Sequence, residues 1–166
     1  HMVRNCGTMG GSVANNDPSA CYPSAVLALD ATITTNMRSI SSEDYFIGMF
    51  ETALNSNEII TQITFPIPDK SAYIKFPNPA SRYAMVGVFM AKTGNKVNVA
   101  ITGASENGVF RSSEIENALS SSCTLESLDT LSISSDGLIS DIHASSNYRA
   151  NLIKEMAKRA LKEIIT

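Results

Sequence analysis

Apolar and polar residues follow two different periods along this chain, and the change of period separates its elements. Val97, Val99 and Ile101 alternate with Asn98, Ala100 and Thr102, the period of a half-buried strand over 96–102. The apolar run 84–92 precedes it across Gly94-Asn95, so the two predict a hairpin whose leading glycine suits a type II′ turn. Near the C-terminus the spacing becomes helical. Tyr148, Leu152, Ile153, Met156, Ala157, Ala160, Leu161 and Ile164 form one stripe, and Arg149, Lys154, Glu155, Lys158, Arg159 and Lys162 the other. This predicts an amphipathic helix over 146–165 packed on the hairpin sheet, with Glu155 and Arg159 paired four residues apart.

Shorter segments fill the rest. β-Branched residues at 31–35 and 59–65 predict strands, with 37–41 a hairpin partner for the first and 55–58 a polar loop. Ser42-Glu43-Asp44 predicts a helical turn, 71–76 a strand, 112–121 a helix capped by Ser112 or Ser113, and 123–131 a further helical turn. Pro66, Pro68 and Asp69-Lys70 interrupt the strands and mark a boundary near 66–71. Antiparallel strands with helices on one side define an α+β class.

The stretch Arg4-Asn5-Cys6-Gly7-Thr8-Met9-Gly10-Gly11-Ser12 is read as a glycine-rich loop. Asp17 is expected to cap, and Pro18 to open, the helix that follows, with Pro23 in its first turn. Bare amides ahead of a helix N-terminus suit an anion. No strand precedes this loop, which predicts an upstream half beyond this sequence.

Composition narrows the chemistry. The chain has 166 residues, 43% hydrophobic and 17% charged, with net charge −3, a balance that argues against a nucleic-acid footprint. No apolar run reaches membrane-spanning length, and no signal peptide is visible. His1-Met2 is read as a cloning scar. The three cysteines, Cys6, Cys21 and Cys123, have no metal-ligand spacing, and two histidines supply no cluster. An odd number of thiols fits a reducing cytoplasm.

Four stretches together resemble the medium, FAD-binding subunit of the molybdenum hydroxylases, the family of carbon monoxide dehydrogenase. They are the glycine-rich stretch; Asp17-Pro18-Ser19-Ala20 with Pro23 and Leu27-Ala28-Leu29-Asp30-Ala31; Lys75-Phe76 with Ala80-Ser81-Arg82-Tyr83-Ala84-Met85-Val86-Gly87; and Ser145-Ser146-Asn147-Tyr148-Arg149. The resemblance covers nearly the whole chain. It implies the C-terminal half of a vanillyl-alcohol-oxidase-type FAD-binding domain at 3–68, followed by a domain at 69–166 with an antiparallel three-stranded sheet packed on helices.

It also implies roles. Thr8, Met9, Gly10, Gly11 and Ser12 match the loop contacting the FAD pyrophosphate, and Asn15 a polar residue near the flavin. Ile60 matches an apolar residue near the isoalloxazine ring, Tyr83 a tyrosine against the flavin, and Lys75 a positive charge near its edge. One departure stands out: Cys21 occupies the place of an aspartate expected to hydrogen-bond the ribityl chain, and a thiol is a poor acceptor. The implied partners are a molybdenum-cofactor subunit and a 2Fe-2S subunit, with electrons passing through FAD to an acceptor. Without the upstream half, the chain is expected to purify without FAD, and either to self-associate as a homodimer through Val13, Ala14, Ile33, Ile60 and Ile63 or to carry a disordered N-terminal segment. A non-catalytic module with a vestigial flavin loop, or another flavoenzyme of the same fold, are the alternatives.

Overall fold

The computed structural model describes residues 5–166; His1, Met2 and the Arg4 of the glycine-rich stretch lie outside the described residues. The first finding corrects the opening stretch. Gly10 and Gly11 belong to helix α1, Met9–Asn15, and not to a loop. Thr8 is its N-cap, in extended conformation, with its hydroxyl accepting from the Gly11 N–H at 2.9 Å. Asn16 ends the helix in the left-handed region at φ 44° and donates its N–H to Ser12 O. A glycine inside a helix costs about 1 kcal/mol relative to alanine. Here a close approach accompanies it, because a Cβ on Gly10 would lie 3.9 Å from Ile60 Cβ.

Asp17 caps no helix. Its carboxylate accepts from Ser19 N–H at 2.8 Å, which builds a turn. Helix α2, Tyr22–Ala28, starts later, with Pro23 in its first turn as expected. Strands β1 (Thr32–Thr35) and β2 (Ser39–Ser41) pair antiparallel, with Ile33 opposite Ile40. Helix α3, Ser42–Tyr45, is capped by the Ser41 hydroxyl. A small ribbon of β3 (Phe46–Gly48) and β4 (Glu51–Thr52) follows, which the sequence patterns did not indicate. Strand β5, Ile60–Thr64, completes a three-stranded sheet in the order β2-β1-β5. Val13, Val26, Ala31, Ile33, Ile40 and Tyr45 form its core.

The second sheet has four strands and not the expected three. Its strands β6 (Lys70–Pro77), β7 (Ala84–Thr93), β8 (Lys96–Thr102) and β9 (Phe110–Arg111) pair antiparallel in chain order. The added strand is two residues long, too short for an alternation to announce it. The hairpin falls where expected, closing between Thr93 and Lys96 with Gly94 at φ 58°. Helices α4 (Ser113–Ser121), α5 (Leu125–Asp129) and α6 (Ser146–Ile165) complete the chain. Ser112 takes the N-cap position of α4 without a side-chain cap bond.

One face of this sheet carries the largest core. Val86, Val88, Met90, Val99 and Ile101 meet Ile153, Met156, Ala157, Ala160 and Leu161 of α6. The opposite face is covered as well. Leu27 and Ala28 of α2 pack on Ala100 and Val109, with Phe46 and Phe89 alongside. Strand β8 is therefore not half-buried: Asn98, Ala100 and Thr102 all lie inside. Their donor groups find backbone partners instead of water. Thr102 Oγ1 donates to Pro18 O and Ala20 O at 2.8 Å, and Asn98 Nδ2 donates to Ala28 O at 2.8 Å.

Arg149 also departs from the expected polar stripe, being 4% exposed. Its guanidinium donates to Met85 O at 2.7 Å, Gly103 O at 3.0 Å and Asp141 Oδ2 at 2.7 Å. These three acceptors, at the ends of the central strands β7 and β8 and on Asp141, pair most of the buried guanidinium, as a charge removed from water requires. No described helix is long and apolar enough to cross a membrane.

Candidate functional site

The residues singled out in the sequence gather into two groups. The first is the start of α1. Thr8, Met9 and Gly11 are exposed, Gly10 and Ser12 half-buried. Ser12 N–H is used by Thr8 O at 3.0 Å and Gly11 N–H by the Thr8 hydroxyl. The amides of Met9 and Gly10 precede the first helical bond, where backbone N–H groups have no partner within the helix. Ile60 of β5 lies beside Gly10, half-exposed. Asn15 is exposed at the other end of α1, while its neighbour Asn16 is buried and donates to Gly48 O and Glu51 O of the small ribbon.

The second group joins the 17–21 turn to β6. Tyr73 and Lys75 share one face of β6 because side chains on a strand repeat every second residue. Lys75 Nζ lies 3.6 Å from Cys21 Sγ and donates to Arg82 O at 3.2 Å. Arg82 holds a left-handed φ of 62°, and Tyr83 follows it with its ring exposed. Ala84 N–H reaches back to Ser19 O at 3.4 Å. Cys21, Lys75 and Tyr83 thus belong to one neighbourhood, although 54 residues separate the first two.

Tyr73 was not anticipated. Its hydroxyl is buried with no hydrogen-bond partner among the described residues. Burial, with the Cys21 sulfur alongside, pushes its phenol well above the ordinary tyrosine range. Room for it comes from Gly87 on β7, where a Cβ would stand 2.5 Å from Tyr73 Oη. Only pairing register reveals this, since Gly87 lies opposite Lys75.

A polar node joins the two sheets nearby, and sequence spacing gave no sign of it. Asp30, at φ 50°, accepts from Lys96 Nζ at 2.9 Å and Asn98 Nδ2 at 2.8 Å through one oxygen. Arg111 reaches the other at 3.0 Å and is itself held by Glu116. Burial raises the Asp30 carboxyl, but the donated bonds from Lys96 and Asn98 and the charges of Lys96 and Arg111 outweigh it and leave it lowered. A cavity of about 180 Å³ opens beside this node between Ala28, Pro66, Pro68 and Ala91. A second, of about 350 Å³, lies near Phe110, Arg111 and Ser134. None of the residues expected to touch a cofactor lines either cavity.

A flavin dinucleotide presents a diphosphate and an apolar ring. The α1 start offers amides without a helical partner and two hydroxyls with the apolar Ile60 beside them, and the β6 group offers one ammonium. That donor set fits a phosphate-bearing cofactor held by backbone and hydroxyl groups. Among the described residues no group of three histidine, cysteine or acidic side chains could hold a metal ion.

Comparison with known proteins points the same way. Residues 1–68 match a family described as the FAD binding domain in molybdopterin dehydrogenase. The chain is 32% identical over 177 residues to the glyceraldehyde dehydrogenase medium chain of Sulfolobus acidocaldarius, covering 98% of this chain and 63% of that one. It is 26% identical to the carbon monoxide dehydrogenase medium chain of Hydrogenophaga pseudoflava, covering 96% of this chain and 61% of that one. Among solved structures, quinoline 2-oxidoreductase from Pseudomonas putida 86 superposes with a TM-score of 0.79 at 25% identity, covering 98% of this chain and 61% of that chain. A cyanide-inactivated Cu,Mo carbon monoxide dehydrogenase gives 0.81 at 25%, covering 98% and 62%. The chain spans about three fifths of the length of these relatives. Over almost all of its residues, the chain is similar to the medium chains of these dehydrogenases, and its first 68 residues match an FAD binding domain.

Proposed function

We propose that this chain is part of an electron-transfer subunit that holds FAD between iron–sulfur clusters and a terminal acceptor. The observation that carries the reading is the family match at residues 1–68 together with the meeting of Cys21, Lys75 and the Arg82–Tyr83 segment across the two sheets. In this reading residues 3–68 form the second part of a vanillyl-alcohol-oxidase-type FAD-binding domain and 69–166 the C-terminal domain of the flavoprotein. Bound FAD would supply the step between one-electron and two-electron carriers. Thr8, Met9, Gly10, Gly11 and Ser12 orient the pyrophosphate through amides and hydroxyls, and Asn15 adds a polar contact. Ile60 and Tyr83 shield the ring from water. Lys75 sets a positive charge near the ring edge, which favours an anionic reduced state.

The intact enzyme in this proposal is an oxidoreductase, with a molybdenum-cofactor subunit and a 2Fe-2S subunit as partners, in the cytoplasm. Self-association of the chain is also part of the proposal; of the face first expected, Ala14, Ile60 and Ile63 are partly exposed. Val13 and Ile33 are fully buried within the first core, and Ile60 and Ile63 are half-exposed at most. The exposed side chains of Met37, Ile47, Phe50 and Ile59 remain for it. Cys21 in the aspartate's place favours one further reading, a module whose flavin loop is vestigial.

Two measurements separate the readings. The chain is expected to purify without a flavin spectrum, because one loop and one strand group leave much of the ligand uncovered. Added FAD should nevertheless bind saturably, read by quenching of its fluorescence, and Ser12→Ala should weaken it by about two- to tenfold, the worth of one hydrogen bond. Absence of saturable binding, or binding unchanged in Ser12→Ala, would reject the proposed pyrophosphate contact.

A further inference from the structure

We infer that Cys21 and Lys75 form an oxidation-sensitive pair that closes into a covalent cross-link under hydrogen peroxide, tying the turn before α2 to strand β6. The inference stands on the geometry of the two side chains and does not depend on FAD binding. Cys21 is half-buried, so a small oxidant reaches its sulfur while bulk solvent is partly excluded. Lys75 Nζ lies 3.6 Å from that sulfur, in contact, and its bond to Arg82 O at 3.2 Å keeps it there. Both side chains leave rigid positions: Lys75 is paired across β6 and β7 opposite Gly87, and the Ser24 hydroxyl fixes Cys21 O at 2.8 Å. The buried Tyr73 hydroxyl stands near the sulfur and offers no competing nucleophile while it stays protonated.

The chemistry has two steps. The Cys21 sulfur attacks one peroxide oxygen, the O–O bond breaks, and water leaves. Sulfur is oxidised by two electrons to the sulfenic acid and peroxide is reduced. A sulfenic acid is electrophilic and condenses with a nearby nucleophile. Here the nearest is the Lys75 amine, once its ammonium has released a proton to solvent. The S–N bond forms, the S–O bond breaks, and a second water departs. One thiol, one ammonium and one peroxide thus give one sulfenamide, two waters and one proton. Because the ammonium must lose a proton, the second step quickens as pH rises. The bond joins residues far apart in sequence, one in each sheet's half of the molecule, so it constrains the unfolded chain.

Cys6 and Cys123 serve as internal controls. Cys6 is exposed, and Cys123 packs at the margin of the main core. Among the described residues, Cys21 is the cysteine whose sulfur meets a lysine ammonium.

The test is peptide mass mapping of the full chain after titration with hydrogen peroxide, without reductant. The expected product joins the Cys21 peptide to the Lys75 peptide with loss of two hydrogens. The same pair joined with one oxygen retained would also support the site. The product should grow with pH, vanish on adding dithiothreitol, and be absent in Cys21→Ser and in Lys75→Arg, which keeps the charge without the amine. The thermal midpoint should rise on oxidation and return on reduction in the unsubstituted chain alone. Oxidation of Cys21 to sulfinic acid with no joined peptide would overturn the inference, as would a cross-link that persists in Lys75→Arg.

Discussion

Glu58 ends a stretch whose composition reads as a solvated loop, yet its side chain is fully enclosed. Arg38 Nε and Nη2 donate to its two oxygens at 2.8 and 3.0 Å, Asn55 N–H adds a bond at 2.8 Å, and Thr35 Oγ1 another at 3.2 Å. These donors, Arg38 first and the Asn55 amide next, hold the carboxyl at about 2, below its ordinary 4.5. The sign follows from the depression. The stabilisation is complete above the ordinary value and disappears as pH falls towards the folded one. Thermal unfolding of the chain should therefore lose midpoint steeply between about pH 4.5 and 2, and Glu58→Gln should flatten that window while lowering stability at neutral pH. An unchanged acid profile in the variant would remove Glu58 from the account. At this scale the sequence was a poor guide to charge: Glu58 and Arg149 look like surface residues, yet both are buried. Their partners stand elsewhere in the chain, where no local spacing points.

At the scale of elements, local patterns carried much of the fold. The β7–β8 hairpin, the strands around 32–35 and 60–64, and helix α6 fall within a residue or two of expectation. Helix α1 did not, because two glycines argue against a helix by propensity while packing against Ile60 favours one. Strand β8 misled in the other direction. Its alternation is real, but α2 and the 17–21 turn cover the face that alternation leaves polar. The site residues were legible only as far as the family likeness named them. Their meeting partner Tyr73 depends on sheet register, through the space at Gly87. Gly87→Ala tests that register. Its Cβ would press on Tyr73 Oη and on Thr102 Cγ2, at 2.5 and 2.9 Å. A loss of about 1–3 kcal/mol is expected in urea unfolding, typical of an overpacked interior. Tyr73→Phe in the same chain should recover part of it by removing the oxygen that is struck. No recovery would place the strain on Thr102 instead.

The described residues form two main sheets with separate cores, beside the small β3-β4 ribbon, fastened by a thin third layer. The first core rests on Val13, Ile33 and Tyr45, and the second on β7, β8 and α6. Between them lie Leu27 and Ala28 against Ala100 and Val109, and the Asp30 node with Lys96, Asn98 and Arg111. The boundary expected near 66–71 coincides with the passage from β5 to β6, and independent folding of the second part is the property that would make it a domain boundary. A polypeptide of residues 69–166 keeps Asp69, whose carboxylate accepts the Gly94 N–H at 2.6 Å and holds the hairpin turn. It keeps every strand of the four-stranded sheet and the long stripe of α6. What it loses is the cover over Asn98, Ala100 and Thr102, together with the carboxylate that Lys96 and Arg111 share. Exposed, those polar groups regain water, so the cost is chiefly the apolar contact of Leu27 and Ala28 with Ala100 and Val109 and the two partly exposed ion pairs of Asp30. The larger core is untouched, and cooperative unfolding depends on that core. The shortened chain should therefore unfold in a single transition with dispersed amide resonances, at a lower midpoint than the full chain. A disordered amide spectrum would show that α2 is an integral layer of the second core, and that the two sheets fold as one unit.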